Sequence, residues 1–166
     1  MKGIVLSEGE RLFQETRTTT FRKEEFTYIH TGIIDESGDT WTTTELDETN
    51  LFQVYNEYRT RHAIPFPDQI IGLREHYGLS AAKMSQILGF GINQYRMYED
   101  GEVPSLSNAR TLLAACEKTL FKSFVKAAKS NMSDAEYSWL MNKIEDADGN
   151  YHFVDKRNQQ ADAGNS

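Results

Sequence analysis

Apolar residues change their period along this chain. Between Arg11 and Thr44 they come in short β-branched and aromatic runs: Thr18-Thr19-Thr20-Phe21, Phe26-Thr27-Tyr28-Ile29 and Thr40-Trp41-Thr42-Thr43. Such side chains suit a pleated, half-covered surface, so three strands are expected. Asp35-Glu36-Ser37-Gly38-Asp39 marks a turn between the last two. The pattern predicts a small antiparallel sheet with Phe21, Phe26, Tyr28 and Trp41 as its core. From Thr44 the period lengthens. Thr44-Glu45-Leu46-Asp47 opens a helix, and Leu51, Val54, Tyr55 and Tyr58 fall at i, i+3, i+4 and i+7. That face should run to about Arg61, where Pro65 and Pro67 impose a short stiff linker.

Beyond the linker the period stays helical. Asp68 is a cap for a helix over 69–77, with Ile70, Ile71 and Leu73 inward and Gly78 at its end. Ser80 is the next N-cap, because its hydroxyl accepts a free amide of the first turn. Met84, Ile87 and Leu88 then form one apolar stripe, and Gly89 stands where a helix leaves through the left-handed region. Asn93 is a further N-cap, and Gly101 and Pro104 close the helix after it. Ile92, Tyr95 and Tyr98 repeat at threes and are expected to face inward, which leaves Asn93, Gln94, Arg96 and Met97 outward. Ser105 or Ser107 opens another helix with Leu106, Leu112, Leu113 and Cys116 inward. Leu120, Phe121, Phe124 and Val125 begin one more, suited to closing the bundle or to a dimer interface. Ser133-Asp134-Ala135-Glu136 is a capping box ahead of Tyr137, Leu140, Met141 and Ile144. The expected fold class is α+β. A small antiparallel N-terminal sheet plus helix fills 1–64, and an all-α helix-turn-helix bundle fills 65–118. C-terminal helices occupy 119–154, and a polar, small-residue tail over 155–166 is expected to be disordered.

Helix, glycine turn, helix over residues 80–101 is the helix-turn-helix pattern. The run resembles the Xre/Cro-like family, whose habit is Leu-Ser at the start, Leu-Gly at the turn and an aromatic-Glu-x-Gly close. Here these are Leu79-Ser80, Leu88-Gly89 and Tyr98-Glu99-Asp100-Gly101. Gly89-Phe90-Gly91-Ile92-Asn93 followed by Tyr98-Glu99 is more narrowly similar to antitoxins of the MqsA type, which join a small N-terminal domain to a C-terminal helix-turn-helix. The resemblance covers about a third of the chain. It implies a second helix seated in the DNA major groove, with its N-terminal side chains at base edges. Asn and Gln read adenine bidentately and Arg reads guanine. The candidate DNA-binding residues are therefore Ser80, Lys83, Asn93, Gln94, Arg96 and Met97. The family pattern has an Asn matching Asn93 and an Arg matching Met97; the Arg is replaced here, although Arg96 lies beside it. In that family two cysteine pairs hold zinc in the N-terminal domain. No cysteine precedes Cys116 in this chain, and His30 and His62 alone do not make a four-ligand site.

Composition bears on the partners. Eighteen basic residues stand against 25 acidic ones among 166, a net charge of −7. Between Phe66 and Cys116 the cations are Arg74, Lys83, Arg96 and Arg110, against Asp68, Glu75, Glu99, Asp100 and Glu102. Phosphate contacts supply most of the affinity in nucleic-acid binding, so this balance weakens DNA attraction and favours a basic protein partner. One cysteine makes no internal disulfide and suits a reducing cytoplasm. No apolar run is long enough to span a bilayer, and no basic-then-apolar leader is expected at the N-terminus.

Other chemistry finds little support. Phe21, Phe26, Tyr28 and Trp41 resemble a base-stacking platform, but Glu24, Glu25, Asp35, Glu36 and Asp39 around them repel phosphate. Asp146-Ala147-Asp148-Gly149-Asn150 approaches a calcium loop, yet Ile144 holds the first ligand position and Asp155 stands where a Glu is needed. His30, His62, His76 and His152 are scattered, Cys116 lies on an apolar face, and Gly89 and Gly91 lack the strand and Lys of a phosphate loop. Glu99 is expected to tie its helix end rather than to catalyse. The sequence thus predicts no enzyme, no cofactor and no metal. It predicts a cytoplasmic, homodimeric transcriptional regulator binding double-stranded operator DNA. By resemblance this is an autorepressing antitoxin of a type II toxin–antitoxin pair, with the N-terminal sheet and helix engaging the toxin. The alternative is a protein-interaction module that neutralises a partner with little or no DNA binding.

Overall fold

The computed structural model describes residues 3–153, and the tail expected at 155–166 lies outside the described residues. The architecture is α+β, an antiparallel sheet followed by helices. The chain divides into two compact units, Met1–His62 and Ala63–Ser166.

The first unit holds β1 (Arg11–Phe21), β2 (Glu24–Ile34) and β3 (Thr40–Trp41), in that spatial order, and α1 (Thr44–Arg61). β1 and β2 pair without interruption from Arg11↔Ile34 to Phe21↔Glu24, so both strands are longer than the β-branched runs alone suggest. Their turn is Arg22-Lys23, with φ of 48° and 68°. Two successive left-handed residues make the mirror-image turn that matches strand twist, normally written with Asn and Gly. The Arg22 guanidinium lies 5.2 Å from the ring centroids of both Phe21 and Tyr58, which helps hold this turn.

The start of α1 is capped by Thr43, whose hydroxyl accepts the Leu46 N–H at 3.3 Å. Its buried stripe is Leu46, Asn50, Val54 and Tyr58 at steps of four, and the expected inward Leu51 is 46% exposed. The polar Asn50 takes the inward place because it has a backbone to bind. Thr31 N–H donates to Asn50 Oδ1 at 2.8 Å, and Asn50 Nδ2 returns a bond to Thr31 O at 3.0 Å. Gln53 does the same with Ile29, accepting at 3.1 Å and donating at 2.8 Å. β3 pairs only with Ile33 and Ile34, so these two amides act as a surrogate strand for the rest of that edge of β2. Phe26 is buried and Phe21 and Tyr28 half-buried, but Trp41, expected in the core, is exposed at the short edge strand.

The second unit contains α2 (Pro67–His76), α3 (Ala81–Leu88), α4 (Gln94–Glu99), α5 (Leu106–Ala115), α6 (Lys118–Ala127), a single 3₁₀ turn (Lys129–Asn131) and α7 (Asp134–Asp146). Pro67 begins α2, one residue before the expected Asp68 cap, and the Phe66 N–H is satisfied by Gln69 Oε1 at 2.9 Å. One core gathers Ile70, Leu73, Tyr77, Met84, Tyr95, Leu112, Phe121, Val125, Leu140 and Ile144. The helices after residue 118 therefore help to complete the helix-turn-helix core, the bundle-closing role that was one of the two expected of the segment from Leu120. Tyr77 shows how: its ring stacks on Phe121 at 4.3 Å and its hydroxyl donates to Ala115 O at 2.8 Å. Leu106 and Leu113, both expected inward, are exposed, as is Leu120. Leu112 and Cys116 are buried as expected, and Ala109 and Ala115 complete the buried side of α5, because small residues let its neighbours approach closely. Among the described residues, no helix is long and apolar enough to cross a membrane.

Candidate nucleic-acid interface

The helix-turn-helix pair is α3 and α4. Ser80 Oγ accepts the Lys83 N–H at 3.2 Å and opens α3. Gly89, at φ 72°, closes it in the left-handed region, and Phe90 N–H reaches back to Ser85 O at 2.9 Å. α4 is only six residues long, too short to persist on intrinsic helicity, so tertiary bonds must hold it. Ser85 is 1% exposed, and its hydroxyl accepts the Tyr95 N–H at 3.0 Å. Tyr95 is fully buried and donates its hydroxyl to Ile70 O at 2.6 Å. Asn108 Nδ2 donates to Tyr98 Oη at 2.7 Å. At the other end the nearly buried Glu99 carboxylate pairs with Arg74 of α2. That contact raises the Arg74 pKa further and gives Glu99 its tying role.

These bonds fix which side of α4 faces out. Asn93, Arg96 and Met97 are exposed, Met97 at 47%. Asn93 stands at the N-cap position without making a side-chain cap bond, since the Ser85 hydroxyl takes the Tyr95 N–H. Ile92 was expected inward with Tyr95 and Tyr98, but it is 83% exposed. It lies in the turn before α4 starts, where helical periodicity does not apply, and it extends the outer surface beside Asn93.

Three other predicted contacts are engaged within the chain. Ser80 is exposed, but its hydroxyl caps α3. Gln94 is half-buried and donates to Glu102 Oε1 at 2.9 Å. Lys83 donates to Gln86 Oε1 at 2.7 Å and is ion-paired with Glu136 in the first turn of α7. Gln86 Nε2 also reaches Asn131 O at 3.2 Å, so the α6–α7 connection covers part of α3. The capping-box pattern assigned Glu136 to its own helix end. Ser133 Oγ does accept the Glu136 N–H at 3.2 Å, while the Glu136 carboxylate goes to Lys83. No sequence spacing signals a pair separated by 53 positions. With Arg74 and Lys83 paired, Arg96 and Arg110 are the cations of residues 66–116 that make no ion pair among the described residues.

Other candidate chemistry is not assembled. Among the described residues, no group of three or more His, Cys, Asp or Glu side chains is placed to hold a metal ion. Cys116 is buried, and burial pushes its thiol up to about 12. Comparison of the chain with protein-family models, with curated proteins and with solved structures gives no match.

Proposed function

We propose that the chain is a cytoplasmic, homodimeric, sequence-specific DNA-binding transcriptional regulator. The observation that supports this reading is the outer face of α4, where Asn93, Arg96 and Met97 are exposed on a helix whose opposite side is locked by Ser85, Tyr95, Tyr98 and Glu99. A rigid short helix with free amide and guanidinium groups meets the needs of major-groove readout. In this reading Asn93 contacts an adenine edge, Met97 a thymine methyl, and Arg96 a phosphate or guanine. The resemblance to MqsA-type antitoxins extends the proposal to an autorepressor of a type II toxin–antitoxin pair, with the first unit engaging the toxin.

A second reading is favoured by the paired cations. With Lys83 and Arg74 neutralised and the net charge at −7, a protein-interaction module that neutralises a basic partner needs little DNA affinity. Fluorescence anisotropy with DNA from upstream of the chain's own gene separates the two. The regulator reading expects Asn93→Ala to lose roughly 1–3 kcal/mol against that DNA while its binding to scrambled DNA is unchanged. Equal binding of upstream and scrambled DNA by the unaltered chain supports the second reading.

A further inference from the structure

Among the described residues, no strand lies beside the outer edge of β1. β1 is the first of the three strands in spatial order, and residues 14–20 are exposed throughout. It contains no proline, and its pairing with β2 runs through without a bulge, so two of the usual devices that blunt an edge strand are missing and charge is the one it carries, at Arg11, Glu15 and Arg17. The other long edge, on β2, is covered by β3, Asn50 and Gln53.

The direction of each β1 backbone group follows from those amide contacts. Ile29 and Thr31 direct their N–H and C=O groups away from β1, toward Gln53 and Asn50. Their partners on β1 are Thr16 and Gln14. In an antiparallel pair, opposed residues alternate between exchanging both bonds and exchanging none. Gln14, Thr16 and Thr18 therefore present their N–H and C=O groups at the open edge, and Glu15 and Arg17 direct theirs to β2.

We propose that this edge pairs with β1 of a second copy of the chain, antiparallel and about a two-fold axis through Thr16. In that register Thr16 faces Thr16 of the second copy, and Gln14 faces Thr18, each pair exchanging two backbone hydrogen bonds. Glu15 of each copy then faces Arg17 of the other at the closely spaced, non-hydrogen-bonded positions, where side chains interact most strongly. Within one copy Glu15 and Arg17 are already neighbours on the same strand face, bonded at 2.6 Å, so pairing joins two ion pairs into a ring of four alternating charges. Slipping the register by two residues either way, the nearest shift that keeps the outward backbone groups opposed, sets Glu15 against Glu15 or Arg17 against Arg17. The charges thus select one register, as a self-complementary two-fold interface requires. This inference concerns the first unit and does not depend on the DNA-binding reading.

The test is the mass of the full chain by sedimentation equilibrium, with circular dichroism to verify folding. Arg17→Glu, which sets like charges opposite, is expected to halve the mass, and Glu15→Arg to do the same. The double exchange Glu15→Arg with Arg17→Glu restores opposite charges and is expected to restore the mass. Thr16→Pro removes an N–H that points away from β2, leaves the internal ladder intact, and is also expected to halve the mass. A monomeric unaltered chain overturns the proposal, as does an oligomer whose mass survives both Arg17→Glu and Thr16→Pro.

Discussion

Lys83 and Arg96 carry the same charge and differ entirely in what they can reach. Arg96 stands on the open side of a short helix, while Lys83 is spent on Glu136. Neighbours likewise set the behaviour of Cys116, Tyr77 and Tyr95. Burial raises all three, the thiol from 9.0 to about 12, and the two phenols above their ordinary 10.0. In the unfolded chain the thiol ionises near 9, whereas the folded chain keeps its proton until about 12. The folded state therefore binds more protons in that window. This contribution to stability is fully present below pH 9 and is lost as pH rises through it, at about 1.4 kcal/mol per pH unit for one group. Urea midpoints are expected to fall from pH 9 upward and more steeply above 10, with Cys116→Ala flattening the first part. Midpoints constant to pH 11 contradict this. Exposure at Leu51, Leu113 and Ile92 was not legible from the sequence. Apolar identity alone does not say which of several large side chains has a buried surface opposite it, and here Asn50, Ala109 and Ala115 took the inward positions.

At the scale of elements, α4 depends on one buried hydroxyl. Ser85 serves α3 as an interior residue and α4 as the acceptor for its Tyr95 N–H. Removing it strands a buried donor, so Ser85→Ala is expected to cost about 1–3 kcal/mol. The loss should appear as a lower urea midpoint with an unchanged slope, and as weaker DNA binding although Ser85 touches no ligand. The start of α3 at Ser80, its end at Gly89 and the cap of α7 at Ser133 were readable because caps are local chemistry. The Ser85 bond was not, because it joins two helices whose approach only the folded core defines. The Arg22-Lys23 turn escaped for a different reason. Long residues occupy left-handed positions usually given to Asn and Gly, so no turn signature precedes β2.

For the whole molecule, the electrostatic balance decides how any DNA complex behaves. Net acidity and two internally paired cations leave Arg96 and Arg110 as the cations of residues 66–116 that make no ion pair among the described residues and can meet phosphate there. A dimer then neutralises few phosphates, and the slope of log affinity against log salt should be shallow, roughly −2 to −4. Glu136→Gln releases Lys83 beside α3 and is expected to steepen that slope by about 1 per freed contact. The positions of Asn93, Arg96 and Met97 on one outer face could be read from spacing. The charge available to that face could not, because the Lys83–Glu136 pair spans α3 and α7. The measurement that bears most directly on the central claim is therefore the salt series itself, run on the unaltered chain and on Arg96→Ala with the upstream DNA. Saturable binding at low salt, with a shallow negative slope that Arg96→Ala reduces by about 1, is the expected result. Absence of binding at low salt, or a slope that Arg96→Ala leaves unchanged, contradicts the assignment of the α4 face to DNA.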